Sequence, residues 1–267
     1  MLQPHPRQPP QPTKLFVAQT RLLLAAISPL EFARRFLNFY PDEAQGRVLR
    51  KLPDFRQVAL NCSRQWGKST IAAVWIVHRL YFTAGCTVLI VGPSGRQSGE
   101  TLRKVKSFLA VLGTQTRGDG VNRQSAVLPN GSRVVALPAR EDTVRGFSAV
   151  SMLVIDEAAR VSDEIYDALM PSLAVGNGDV ILLSTPQGAR GEFHRVMTEG
   201  ERWLRHTGPV TECTRIPAEF LERERARGET LFRQEYLCEF VENGTHLLTE
   251  TLVKKTVKVE EASWKHI

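Results

Sequence analysis

Hydrophobic residues gather along this chain in short dense runs rather than long alternations. RQVALNCS (56–63), TVLIVGPS (87–94), SMLVIDEAA (151–159) and DVILLSTPQG (179–188) each hold three or four consecutive apolar residues. Runs of that length predict strands buried on both faces, the pattern of a parallel sheet. Segments of helical length lie between them. LEFARRFLNFYP (30–41) stops at Pro41, KSTIAAVWIVHRLYFTAG (68–85) ends at Gly85, and SGETLRKVKSFLAVLG (98–113) is amphipathic. AVLPNGSRVVALP (126–138) predicts a hairpin turning at Asn130-Gly131. Strands alternating with helices predict an α/β fold, a parallel sheet covered by helices on both faces.

The pattern changes near residue 210. PAEFLERERARG (217–228) reads as a charged helix with Pro217 at its start and Gly228 past its end, and ETLFRQEYLCEF (229–240) follows it. The expected organisation is a lead-in at 1–13, a sheet domain at 14–210, a small helical lid or linker at 211–245, and a tail at 246–267.

Composition narrows the classes. A chain of 267 residues with 42% hydrophobic content has enough for one large domain or a domain with an appendage. No eighteen-residue apolar run is present, so no membrane span is expected. The N-terminus MLQPHPRQPPQPTK lacks the apolar core of a secretory signal, so the protein is expected to stay where it is made. Its four cysteines form no C-x-x-C pair, which fits a reduced compartment better than a zinc site or a disulfide framework. The net charge of +7 is uneven: residues 50–150 hold 15 Lys/Arg against 5 Asp/Glu. That basic third predicts a polyanion partner, the plainer reading being solvated surface charge plus a phosphate site. Arg103, Lys104 and Lys106, in TLRKVK on the amphipathic helix, are candidates for its contact surface, against the plainer reading of a solvated face.

The chemistry concentrates after the first predicted strand. NCSRQWGKST (61–70) nearly matches the phosphate-binding pattern G-x-x-x-x-G-K-[ST], with Cys62 where the first glycine belongs. Between a strand and a helix, the backbone amides of Ser63, Arg64, Gln65, Trp66 and Gly67 suit a β-phosphate. Lys68 suits the β- and γ-phosphates, and Ser69, followed by Thr70, suits Mg²⁺. Arg64 inside the loop is a candidate for transition-state charge. The third strand ends in Asp156 and Glu157, at the sheet edge where ligands bind in open α/β folds. Asp156 is expected to hold Mg²⁺ and Glu157 to activate the attacking water. Ser184 and Thr185 end the fourth strand, where they are candidates to sense the γ-phosphate. Arg145, in TVRGFS, is a loop arginine able to reach a phosphate site, and Gln45 offers an amide suited to an adenine edge.

SRQWGKST, VIDEAA, LLSTPQG and FRQEYLCEF, in this order and spacing, resemble the ATPase domain of the large terminase subunit of tailed bacteriophages. The resemblance covers roughly residues 38–243. It implies a P-loop NTPase fold, ATP and Mg²⁺ as cofactors, and hydrolysis coupled to translocation of double-stranded DNA into a procapsid. It further implies that Gln45 contacts adenine, that Ser184, Thr185 and Pro186 couple ATP to DNA, and that Arg145 serves a neighbouring subunit's ATP while Arg64 acts in its own site. Implied partners are DNA, the portal protein, the small terminase subunit and further copies in a ring on the portal, in the host cytoplasm. The family normally continues into a nuclease domain, which the 27 residues after Phe240 are too few to build, so nuclease activity is not expected of this chain. Two other readings stand beside this one. A superfamily-2 helicase shares the glutamine and D-E-A-x features but needs a second RecA-like domain. A non-hydrolysing DNA- or portal-binding scaffold is the other.

Overall fold

A computed structural model describes residues 13–200, 202–213 and 215–242. The expected tail at 246–267, and the lead-in apart from Thr13, lie outside the described residues. In chain order the elements are α1 (Lys14–Ile27), α2 (Pro29–Phe36), α3 (Glu43–Lys51), β1 (Gln57–Cys62), α4 (Lys68–Phe82), β2 (Thr87–Gly92) and α5 (Gly95–Val111). They continue with β3 (Ser125–Val127), β4 (Arg133–Pro138), α6 (Glu141–Val144), β5 (Met152–Asp156), α7 (Asp163–Leu169) and β6 (Asp179–Ser184). The last are α8 (Gly191–Thr198), β7 (Leu204–Gly208), α9 (Ala218–Arg227) and α10 (Glu229–Glu235).

The strands form one seven-stranded sheet in the order β3-β4-β2-β5-β6-β1-β7, parallel throughout except for the β3–β4 hairpin. Successive strand residues point to opposite faces. Val58, Leu60, Val88, Ile90, Val154 and Leu183 therefore pack under α2, α3, α4 and α5. Their neighbours Ala59, Leu89, Val91, Ile155 and Leu182 meet Val144, Leu169, Phe193 and Val196 from α6, α7 and α8. Both faces are covered, which explains the unbroken apolar runs. The pairing of Asn61 with Ser184 and of Asp156 with Leu183 brings the ends of β1, β6 and β5 together at one sheet edge.

The four apolar runs are strands β1, β2, β5 and β6, and the hairpin turns at Gly131, whose φ of +82° suits glycine. Differences are local. The helix expected over 30–41 ends at Phe36, because Asn38 takes a φ of +50° well before Pro41. The helix expected from residue 98 starts at Gly95, where the Ser94 hydroxyl accepts a hydrogen bond from the Gln97 amide. Strand β7, LRHTG, was not expected. It is an edge strand paired only with β1, and its middle residues are polar. Helices α9 and α10 fall within the 211–245 segment expected to be helical, beside a small core of Val210, Phe232 and Tyr236 separate from the two sheet faces.

Candidate nucleotide site

Four residues outside the loop after β1 hold it. The Ser63 amide donates to Gly208 of β7, and the Arg64 amide donates to the Glu235 carbonyl of α10. Gln45 of α3 donates through Nε2 to the Trp66 carbonyl at 2.7 Å, and Arg215 donates to the carbonyls of Gln65 and Trp66. Cys62 is a buried strand residue paired with Gly208, so the loop does not bend at the position of the missing glycine. The left-handed turns fall instead at Gln65 and at Gly67, with φ of +63° and +97°. Gly67 is required twice over, since a Cβ there would also lie 2.7 Å from Gln45 Nε2. After this turn α4 begins at Lys68. The amides of Gln65, Gly67, Lys68 and Ser69 find no backbone acceptor among the described residues. The Ser63 hydroxyl is buried and has no partner among them either. Unspent donors at a helix N-terminus make an anion cradle.

A cleft of about 430 Å³ opens over this loop, lined by Gln45, Ser63, Gln65, Gly67, Lys68, Ser69 and Thr70 from the loop side. Phe39, Tyr40, Lys104 and Arg215 complete it. The Lys68 ammonium lies 3.6 Å from Glu157 Oε1. Asp156 is buried, and its Oδ2 accepts a 2.5 Å hydrogen bond from Thr101 of α5. The hydroxyls of Ser69 and Thr70 and the Asp156 carboxylate are hard oxygen donors of the kind Mg²⁺ takes. The cradle, the ammonium and this donor set fit a magnesium nucleotide.

Several expected site residues stand outside the cleft or are otherwise engaged. Three of the five loop amides expected at the β-phosphate are spent on carbonyls: Ser63 on Gly208, Arg64 on Glu235 and Trp66 on Ser63. The Trp66 side chain does not face the cleft either. Its ring is buried under β7, donating to Glu212 Oε2 at 3.2 Å and lying 5.2 Å from the His206 ring. A Cβ on Gly208 would lie 2.6 Å from Trp66 Nε1, so glycine is needed there for packing. Arg64 is turned away from the cleft, with its Nε 2.8 Å from Glu235 Oε2. Gln45 lies in the cleft, but its amide is largely spent. Its Oε1 accepts from the Asp42 amide in a capping box, and one N–H holds Trp66. Lys104, expected to lie on a DNA-facing surface with Arg103 and Lys106, lines the cleft instead. Arg145 is exposed, outside the cleft lining, and ion-paired with Glu141.

Two residues central to the site went unnoticed in the sequence. Arg160 donates through Nη1 to Glu157 Oε2 at 2.6 Å and to the Thr185 hydroxyl at 3.4 Å. Its Nη2 reaches Glu235 Oε1 at 3.3 Å. Glu235 is thus a buried carboxylate between Arg64 and Arg160. Burial pushes its pKa up, but the two guanidiniums outweigh that and hold it below the usual carboxylate range. Ser184, beside Thr185, accepts from the Ala159 amide just after Glu157, and Pro186 is buried. Arg160 follows Glu157 by three residues, a local signal; Glu235 lies within FRQEYLCEF, but nothing in that segment marks it as the partner of two arginines.

A parallel sheet with an anion-cradling loop after one strand and paired acids after another defines an α/β protein of the P-loop NTPase class. The profile of the family described as "Terminase large subunit, T4likevirus-type, N-terminal" matches residues 60–255, and the chain belongs to that family. A curated relative is the terminase large subunit of Thermus phage G20c, 23% identical over 80% of this chain and 51% of its own length. The chain thus spans about half the length of the curated relatives it matches. The ATPase domain of the Thermus phage P74-26 large terminase superposes with a TM-score of 0.70 at 22% identity, over 80% of this chain and 99% of that one. The large terminase of a thermophilic bacteriophage, solved in complex with ATP-gamma-S, superposes at 0.63 with 12% identity, over 74% and 52% of the two chains.

Proposed function

We propose that this chain binds ATP with Mg²⁺ and hydrolyses it to drive double-stranded DNA into a procapsid. The observation that carries the reading is the loop's cradle of unpaired amides, with Lys68 3.6 Å from Glu157 at the end of β5, one strand removed from β1. The family match and the ATP-gamma-S held by the thermophilic phage's terminase support it.

In this reading the loop from Ser63 to Thr70 wraps the triphosphate, and Lys68 neutralises the β- and γ-phosphates. Ser69 and Asp156 hold Mg²⁺, which offsets phosphate charge when bound. Glu157 takes the proton of the attacking water. Both Glu157 oxygens are engaged, by Lys68 and by Arg160, so Arg160 turns away to open one of them to the attacking water. Arg64 swings from Glu235 toward the phosphates as they arrive. Thr185 touches Arg160, so the Ser184–Pro186 segment feels that exchange and passes it toward DNA. Gln45 keeps one N–H for an adenine edge, beside Tyr40. Arg145, exposed on its loop, acts on the ATP of a neighbouring copy in a ring. The portal protein and the small terminase subunit are the further partners, at the procapsid portal in the host cytoplasm. Neither a helicase nor a non-hydrolysing scaffold is favoured by the family match.

Titration calorimetry tests the first step. Wild-type chain should bind Mg-ATP at micromolar concentration, and Lys68→Ala should weaken binding at least tenfold, since a charge-assisted contact contributes about 1.5–3 kcal/mol. Equal affinity in the two would remove Lys68 from the site.

A further inference from the structure

Lys104 is a cation without an assigned task. It stands on α5, three residues after Thr101, and residues at that spacing share a helix face. Thr101 grips Asp156 at 2.5 Å, and Lys104 lines the cleft alongside Lys68, Ser69 and Thr70. Arg103, next to it, turns outward and pairs with Glu100. The Lys104 ammonium has no hydrogen bond or ion pair among the described residues. It is half-buried, and that burial lowers its pKa, with the field of Asp156 opposing. A half-buried ammonium that feels carboxylates only at a distance, with none paired to it among the described residues, is stabilised by an anion arriving in the cleft.

We propose that Lys104 binds the terminal phosphate of the nucleotide and so distinguishes a triphosphate from a diphosphate. The inference rests on the nucleotide reading above and adds a residue to it. The loop amides account for the β-phosphate, while Lys68 divides its charge between phosphate and Glu157. Asp156, with Ser69, would hold the metal, which would offset phosphate charge. Lys104 stands on the Asp156 side of the cleft, so its ammonium falls to the γ-phosphate. The same helix then carries both the metal's supporting hydroxyl and the γ-phosphate's cation. Loss of the γ-phosphate would free Lys104 and leave Thr101 in place.

Calorimetry with ATP-gamma-S and with ADP, each with Mg²⁺, separates the possibilities. The comparison uses wild type, Lys104→Met and Lys104→Arg. Lys104→Met should weaken ATP-gamma-S roughly 10- to 100-fold, the scale of one charge-assisted hydrogen bond, and leave ADP within about twofold. Lys104→Arg should recover most of the loss. Equal weakening of both nucleotides would reduce Lys104 to a general source of positive field and overturn the proposal. No weakening of either would overturn it too. If the wild type bound neither nucleotide, the nucleotide reading itself would fall, an outcome distinct from the other two.

Discussion

Glu235 shows how one side chain joins parts of the molecule far apart in sequence. Its carboxylate meets Arg64 at 2.8 Å and Arg160 at 3.3 Å, and Arg160 holds Glu157. Glu235→Gln would leave two guanidiniums facing a neutral amide. Arg64 is 61% exposed and recovers water, so the loss should be about 1–3 kcal/mol, below that of a fully buried pair. Glu235 titrates below the usual carboxylate range, so its contribution is present above pH ~4.5 and is lost as pH falls through its lowered pKa. Urea unfolding at pH 7 should therefore separate the variant from wild type, and the gap should narrow toward acid. Equal stability at pH 7 would mean that the contact does not anchor the appendage.

Elements carry a second acid-sensitive feature. His78 of α4 is buried against Trp75, Phe32 and Phe82, and its Nε2 lies 3.0 Å from the Ala25 carbonyl at the end of α1. Burial lowers its pKa to about 4. The unfolded chain takes up its proton near pH 6.5, before the folded one does, so stability is full above that pH and declines as pH falls toward 4. The decline attributable to His78 is on the order of 3 kcal/mol. His78→Gln should be less stable at pH 7 through lost packing, but should show a flatter fall between pH 7 and 4. An unchanged slope would assign the acid sensitivity to other groups. Elements also show where sequence reading works. Strands β1, β2, β5 and β6 were legible because burial on both faces demands continuous apolar residues. Strand β7 was not, because an edge strand with polar middle residues lacks that signature. Helices α1, α3, α6, α7 and α8 were also missed.

At the scale of the whole molecule, the candidate site was half legible. The loop and the acids sit in contiguous segments whose spacing is itself the signal. Arg215, Glu235 and Lys104 reach the site from elements that only folding brings together, and neither composition nor local spacing marks them. The facing of α5 was misread for the same reason: TLRKVK gives three cations but not which one turns inward. DNA contact can now be tested with the outward pair alone. If Arg103 and Lys106 touch duplex phosphates, neutralising both should flatten the dependence of log K on log salt by about two units, leaving ATP binding intact. An unaltered slope would move the DNA path to another basic surface.

Glu157 is the proposed base of an ATP-hydrolysing site, and the whole mechanism depends on it. The decisive measurement is phosphate release by Glu157→Gln beside wild type, with Mg-ATP binding followed on the same samples and DNA present. An amide cannot take a proton from water, so release should fall ~10²–10⁴-fold while ATP remains bound. Release at the wild-type rate, with ATP bound equally well, would contradict the mechanism proposed for this site.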